Sequence, residues 1–175
     1  MKIIAHHIFP SSQRGTTLLE LLVTISIAAI LMGVAVPSFQ GMMRTNRIAS
    51  VTNEMGRALM LTRSEAVSRG TNVSLCNTAN PNSTTPSCSG GTWATGWLIK
   101  VNSNDEILRI GTLSSTNAII TNTEDEITYT PLGNVTDESD FKVEIDTEKR
   151  IIQIKNTGRT RTCNPNKAGV VDCTW

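Results

Sequence analysis

Hydrophobic and polar positions divide the chain into three regimes. From Leu18 to Val36, 19 residues carry a single charge, Glu20, a run long and apolar enough for one bilayer-spanning helix. After Pro37 the pattern becomes periodic. Ile48, Val51, Met55, Ala58, Leu59, Thr62 and Ala66 recur at three- and four-residue steps, which predicts an amphipathic helix with one stripe toward a core. Arg44, Arg47, Glu54, Arg57 and Glu65 fall on its other faces, Glu65 and Arg69 are spaced as an i,i+4 pair, and Gly70 ends it. Pro37, flanked by Gly33 and Gly41, is expected to kink or loosen the helix. Beyond Gly70 the segments shorten and become β-branched. TNVSLC, GWLIKV, EILRIGTL, AIITN, EITYTP, FKVEID and RIIQIK read as strands separated by Asn, Gly, Ser, Asp or Pro. In FKVEID, Phe141, Val143 and Ile145 share a face. ANPNSTTPSCSGG reads as a loop. The predicted class is α+β, a long N-terminal helix packed on antiparallel sheet.

Length and charge sharpen this. A chain of 175 residues suits one domain with its own core. Its net charge of +1 conceals blocks: residues 44–69 carry five arginines against two glutamates, a balance of +3. Residues 102–148 carry eleven acids against Arg109 and Lys142, a balance of −9, and residues 149–175 six bases against Asp172, a balance of +5. Such asymmetry bears on partners. The helix arginines are read as a solvated face or as subunit contacts, not as nucleic-acid ligands. The acidic runs TEDE and TDESD lack the alternating ligands and central glycine of a calcium loop, and read as a solvated face. Cys76, Cys88, Cys163 and Cys173 form no Cys-x-x-Cys pair and lie far from the only histidines, His6 and His7. Two disulfides in an oxidising compartment follow better than a zinc site. Of the three connectivities, Cys76–Cys88 with Cys163–Cys173 is favoured, because each pair brackets a turn-rich loop.

The start of the chain is unusual. A secretory signal is cut after its apolar run, whereas here the boundary mark Arg14-Gly15 precedes it. A carboxylate within a membrane segment costs about 2.5–3.5 kcal/mol and needs a partner. Cleavage after Gly15 would place the α-amine of Thr16 one helical turn from Glu20. The stretch RGTTLLELLVTISIAAILMGVAVPSF resembles the class III leader and first helix of type IV pilins and type II secretion pseudopilins. That resemblance implies cleavage between Gly15 and Thr16 by a prepilin peptidase, N-methylation of Thr16, and an assembly role for Glu20, the fifth mature residue. Thr16 stands where the family usually has phenylalanine. The implied organisation is a removed leader over 1–15, a transmembrane first helix half over 16–36, an amphipathic second half over 37–69, and a β-rich periplasmic part over 70–175. The implied location is the inner membrane, single-pass, with later incorporation into a pilus beside other pilins.

LTRSEAVSRGTNVSLC and the WATGW segment are similar to the GspH/FimT group of minor pilins and pseudopilins, whose fold is a long helix against two antiparallel sheets. Trp93 and Trp97, with apolar neighbours, read as core residues rather than base-stacking platforms. Without its leader the chain has no histidine, and no P-loop, Rossmann pattern or HExxH is present. Neither an enzyme nor a cofactor is expected. Chemistry concentrates instead in NTGRTRTC, where Arg159 and Arg161 lie two apart, with Lys155 before and Lys167 after. In an extended segment these arginines point the same way, a fork suited to phosphate. They could equally pair with the acidic block or with a neighbouring subunit. Gly158-Arg159-Thr160-Arg161 is similar to the GRxR motif of FimT-like minor pilins, which implies sequence-independent contact with double-stranded DNA and a part in natural transformation. A purely structural pseudopilin, or a subunit that primes fibre assembly, shares every feature except the fork.

Overall fold

In the computed structural model, which describes residues 15–115, 117–166 and 173, the apolar run and the amphipathic stripe fall within one helix, α1 (Leu18–Arg69). The chain divides into two units, Met1–Gln40 and Gly41–Trp175. In the first, the Glu20 amide donates to Thr17 Oγ1 (3.2 Å) and the Leu21 amide to the Thr17 carbonyl (3.1 Å). Thr17 is therefore the N-cap of α1, and Glu20 sits in its first turn, where the helix dipole favours a carboxylate. Thr24 and Ser26 return their hydroxyls to the carbonyls of Leu21 and Leu22, both at 2.8 Å, so the apolar stretch carries them without an unpaired donor. Pro37 lies inside α1, which is helical on both sides of it. The helix is long and apolar enough to cross a membrane.

In the second unit, all seven residues of the expected stripe are buried, together with Thr52. Thr52 and Thr62 lie within the apolar face because each hydroxyl donates to a carbonyl one turn back, Ile48 at 2.6 Å and Ala58 at 2.8 Å. Gly70, with φ +64°, follows the last helical residue.

Among the described residues, eight strands form two antiparallel sheets. The first holds β1 (Val73–Asn77), β2 (Trp97–Val101), β3 (Ile107–Gly111) and β5 (Glu126–Tyr129), in the order β3-β2-β1-β5. The second holds β4 (Ile119–Thr121), β6 (Ser139–Ile145), β7 (Glu148–Ile154) and β8 (Thr160–Cys163), in the order β4-β6-β7-β8. Phe141, Val143 and Ile145 are fully buried or nearly so and share one core with Ile152, Ile154 and the helix stripe. Trp93 also belongs to that core: its ring meets Phe141 edge-on at 4.7 Å, and its Nε1 donates to the Glu124 carbonyl (3.1 Å). Trp97 is buried against Gly111, where a Cβ would collide with the indole. Neither ring is free to stack on a base. Disulfides join Cys76 to Cys88 and Cys163 to Cys173. The second packs on Ile151 as a small separate cluster, on the face of β7 opposite Ile152 and Ile154.

Candidate nucleic-acid interface

Strands β7 and β8 form a hairpin whose turn is Lys155 to Arg159. The Gly158 amide donates to the Lys155 carbonyl (2.6 Å) and the Lys155 amide to the Arg159 carbonyl (3.1 Å). Gly158 has φ +71°, the left-handed region that closes a hairpin of this kind. It is also pressed against the Gly133 carbonyl, so a Cβ would collide with that oxygen and approach Arg63 Nε at 3.2 Å. Gly158, expected among the DNA-contacting residues, is therefore buried with its amide engaged; it shapes the turn and leaves the surface to its neighbours. From helix α1, Arg63 Nη2 donates to the Thr157 carbonyl (3.0 Å) and ties the turn to the helix.

The register fixes where the cations point. Arg161 stands opposite Gln153, and Cys163 opposite Ile151, while Thr160 and Thr162 stand opposite the buried Ile154 and Ile152. Arg159 and Arg161 consequently share the outer face with Gln153 and Lys155. Both arginines are exposed, and neither has an ion pair with a described residue. With Lys155 they line a groove of about 750 Å³ that no acid lines among the described residues. Lys155 is only partly available, because its Nζ lies 3.3 Å from Glu138 Oε2. Glu138 is held below its ordinary value first by the Asn156 amide, which donates to Oε1 (3.2 Å), and then by Lys155. Lys167, the fourth expected cation, lies outside the described residues, as do the leader histidines and Arg14.

Below the turn, the Tyr129 hydroxyl is buried with no hydrogen-bond partner among the described residues. Burial pushes it up to about 12, against the opposing pull of the Arg63 guanidinium. Sequence reasoning missed Arg63 and Gly133 as supports of the site. Arg63 looked like one more solvated helix arginine, and only a long-range contact gives it this task. Among the described residues no group of His, Cys, Asp and Glu is placed to hold a metal ion. The arrangement is a preformed, cation-lined trough, suited to holding an extended anion.

Residues 51–158, more than half of the chain, match the family described as Type II transport protein GspH. Residues 10–36 match the prokaryotic N-terminal methylation motif. The family match stops at Gly158, one residue before the paired arginines. No curated protein sequence matches the chain. Among solved structures, the type IV minor pilin FimU of Pseudomonas aeruginosa (strain PAO1) is similar in two crystal forms. One gives a TM-score of 0.58 at 20% identity, covering 70% of this chain and 92% of that one. The other gives 0.55 at 20% identity, covering 68% and 94%. At that identity the likeness is one of fold: a long helix with two antiparallel sheets.

Proposed function

The chain belongs to the GspH family, and from that premise we propose that it is a minor type IV pilin that binds double-stranded DNA through the β7–β8 hairpin. The observation that carries this reading is the groove lined by Lys155, Arg159 and Arg161, which among the described residues holds no acid and leaves both guanidinium groups exposed and without ion pairs. Guanidinium forks suit phosphate oxygens, and a turn already fixed by Gly158 and Arg63 loses little freedom on binding. No exposed aromatic interleaves with these cations among the described residues, so contact is with the phosphate backbone and carries little sequence preference. A few phosphate contacts give weak, strongly salt-dependent binding by one subunit. Several copies along a fibre raise the avidity, which suits DNA uptake in natural transformation.

In this reading the prepilin peptidase cuts between Gly15 and Thr16, residues 16–36 hold the subunit in the inner membrane, and the remainder lies in the periplasm. Glu20 then meets a Thr16 amine, its own or a neighbour's, as the subunit joins other pilins. The test uses the full chain in a nonionic detergent, titrated with duplex DNA at several salt concentrations. The Arg159→Gln/Arg161→Gln form is expected to lower the log–log salt slope by about 1.8, at about 0.9 per contact. A slope equal to that of the parent refutes the reading.

The description of the matched family favours a second reading, a structural pseudopilin of type II secretion. It predicts that deletion of the gene abolishes exoprotein secretion and leaves DNA uptake intact.

A further inference from the structure

Strand β8 separates two grooves that share Thr160. One is the outer groove of Lys155, Arg159 and Arg161; the other, of about 360 Å³, is lined by Thr160 and Thr162 and, on helix α1, by Asn53, Gly56 and Arg57. The register accounts for the division. Thr160 and Thr162 stand opposite core residues of β7 and so turn toward the helix side, while Arg159 and Arg161 turn outward. Gly56 lines this groove at a point of open space, where even a Cβ would meet nothing within 4 Å. Arg57 is exposed and has no ion pair with a described residue, and no described acid lines this second groove. The last strand of the sheet is thus a ridge with cations on both flanks.

We propose that the nucleic-acid interface crosses this ridge. Arg57, with the hydroxyls of Thr160 and Thr162, holds phosphates of the second strand of a duplex whose first strand lies on Arg159 and Arg161. The inference rests on the duplex-binding reading above and adds a second rail to it. A ridge flanked by positive charge complements a duplex groove flanked by two phosphate rows, whereas a single strand offers one row only. The assignment revises the sequence reading of Arg57 as part of a solvated or subunit-contacting face.

Arg109 supplies the control. It shares a third groove with Arg57, but Glu54 lies there too, its Oε2 accepting from the Ser114 amide (3.2 Å). Salt slopes for duplex and for single-stranded DNA of equal length are measured on the full chain in nonionic detergent, with circular dichroism to verify folding. Arg57→Gln is expected to lower the duplex slope by about 0.9 and leave the single-strand slope unchanged, while Arg57→Lys keeps both. Arg109→Gln is expected to match the parent. The proposal is overturned if Arg57→Gln keeps the parent's duplex slope, if Arg109→Gln lowers it equally, or if the single-strand slope falls as far. Should only Arg159→Gln/Arg161→Gln lower the slope, duplex binding stands and the second rail falls. Should no variant lower it, both fall.

Discussion

At Gly158 the backbone angle and the neighbouring Gly133 carbonyl exclude a side chain together. Gly158→Ala is therefore expected to destabilise the second unit by about 2 kcal/mol or more, read by urea denaturation, and to weaken DNA binding by displacing the turn. Glu138 restrains Lys155 electrostatically. Glu138→Gln keeps an amide oxygen for the Asn156 amide yet releases the ammonium, so duplex binding should tighten and the salt slope rise toward one further contact, about 0.9. Because Glu138 titrates below its ordinary 4.5, its contribution to stability is present above that value and is lost as pH falls through the lowered one. Acidification should thus loosen the Lys155 tether only well below neutrality. Tyr129 behaves oppositely. Its hydroxyl is raised from 10.0 to about 12, so its contribution is fully present below pH 10.0 and disappears as pH rises through that window. Denaturation midpoints taken across that range should fall for the parent and fall less for Tyr129→Phe. At neutral pH Tyr129→Phe should be nearly neutral in stability, since the hydroxyl has no partner to lose among the described residues. None of these three roles could be read from residue type. Each depends on a contact between residues far apart in sequence, or on burial that no local pattern announces.

Among the elements, helix α1 and the strand β6 were the most legible. A stripe recurring every three or four residues can bury only one face, and the alternation in FKVEID leaves Phe141, Val143 and Ile145 on one side of the sheet. Leu59 is fully buried in that stripe, and Leu59→Ala should cost about 2–5 kcal/mol in denaturant unfolding, depending on how far the neighbours collapse. Strand β8 was less legible. TRTC has a single apolar residue, so the segment reads as a basic extended loop, and what makes it a strand is the turn at Gly158 and pairing with β7. The disulfide that follows was legible as a bracket around turn residues, and its packing on Ile151 was not. With a sequence separation of 10, loss of Cys163–Cys173 should lower stability by roughly 2–3 kcal/mol on the chain-entropy argument, checked with a Cys163→Ser/Cys173→Ser variant.

For the whole molecule, the order of strands was hidden where their existence was not. Local alternation marks a strand without naming its partner, and the pairing of β1 with β5 brings together segments some fifty residues apart. The N-terminal address was legible because it is written in consecutive residues. It predicts that mass spectrometry of the membrane-extracted chain finds N-methylated Thr16 as the first residue; a chain that retains residues 1–15 contradicts the processing proposed above. The segregated charge is also a property of this scale. The −9 stretch and the basic tail meet at Lys149–Glu144, Arg150–Glu148 and Lys155–Glu138, while Arg159 and Arg161 make no such neutralising contact among the described residues. Strand β8 has a ladder partner on one side only among those residues, and an unpaired ladder invites another molecule's backbone. Arg161 within it and Arg159 just before it are therefore also expected to act as gatekeepers, repelling identical copies edge to edge. Neutralising them should leave a stickier protein, visible as concentration-dependent light scattering, so any loss of DNA capture in that variant has to be judged on monodisperse material.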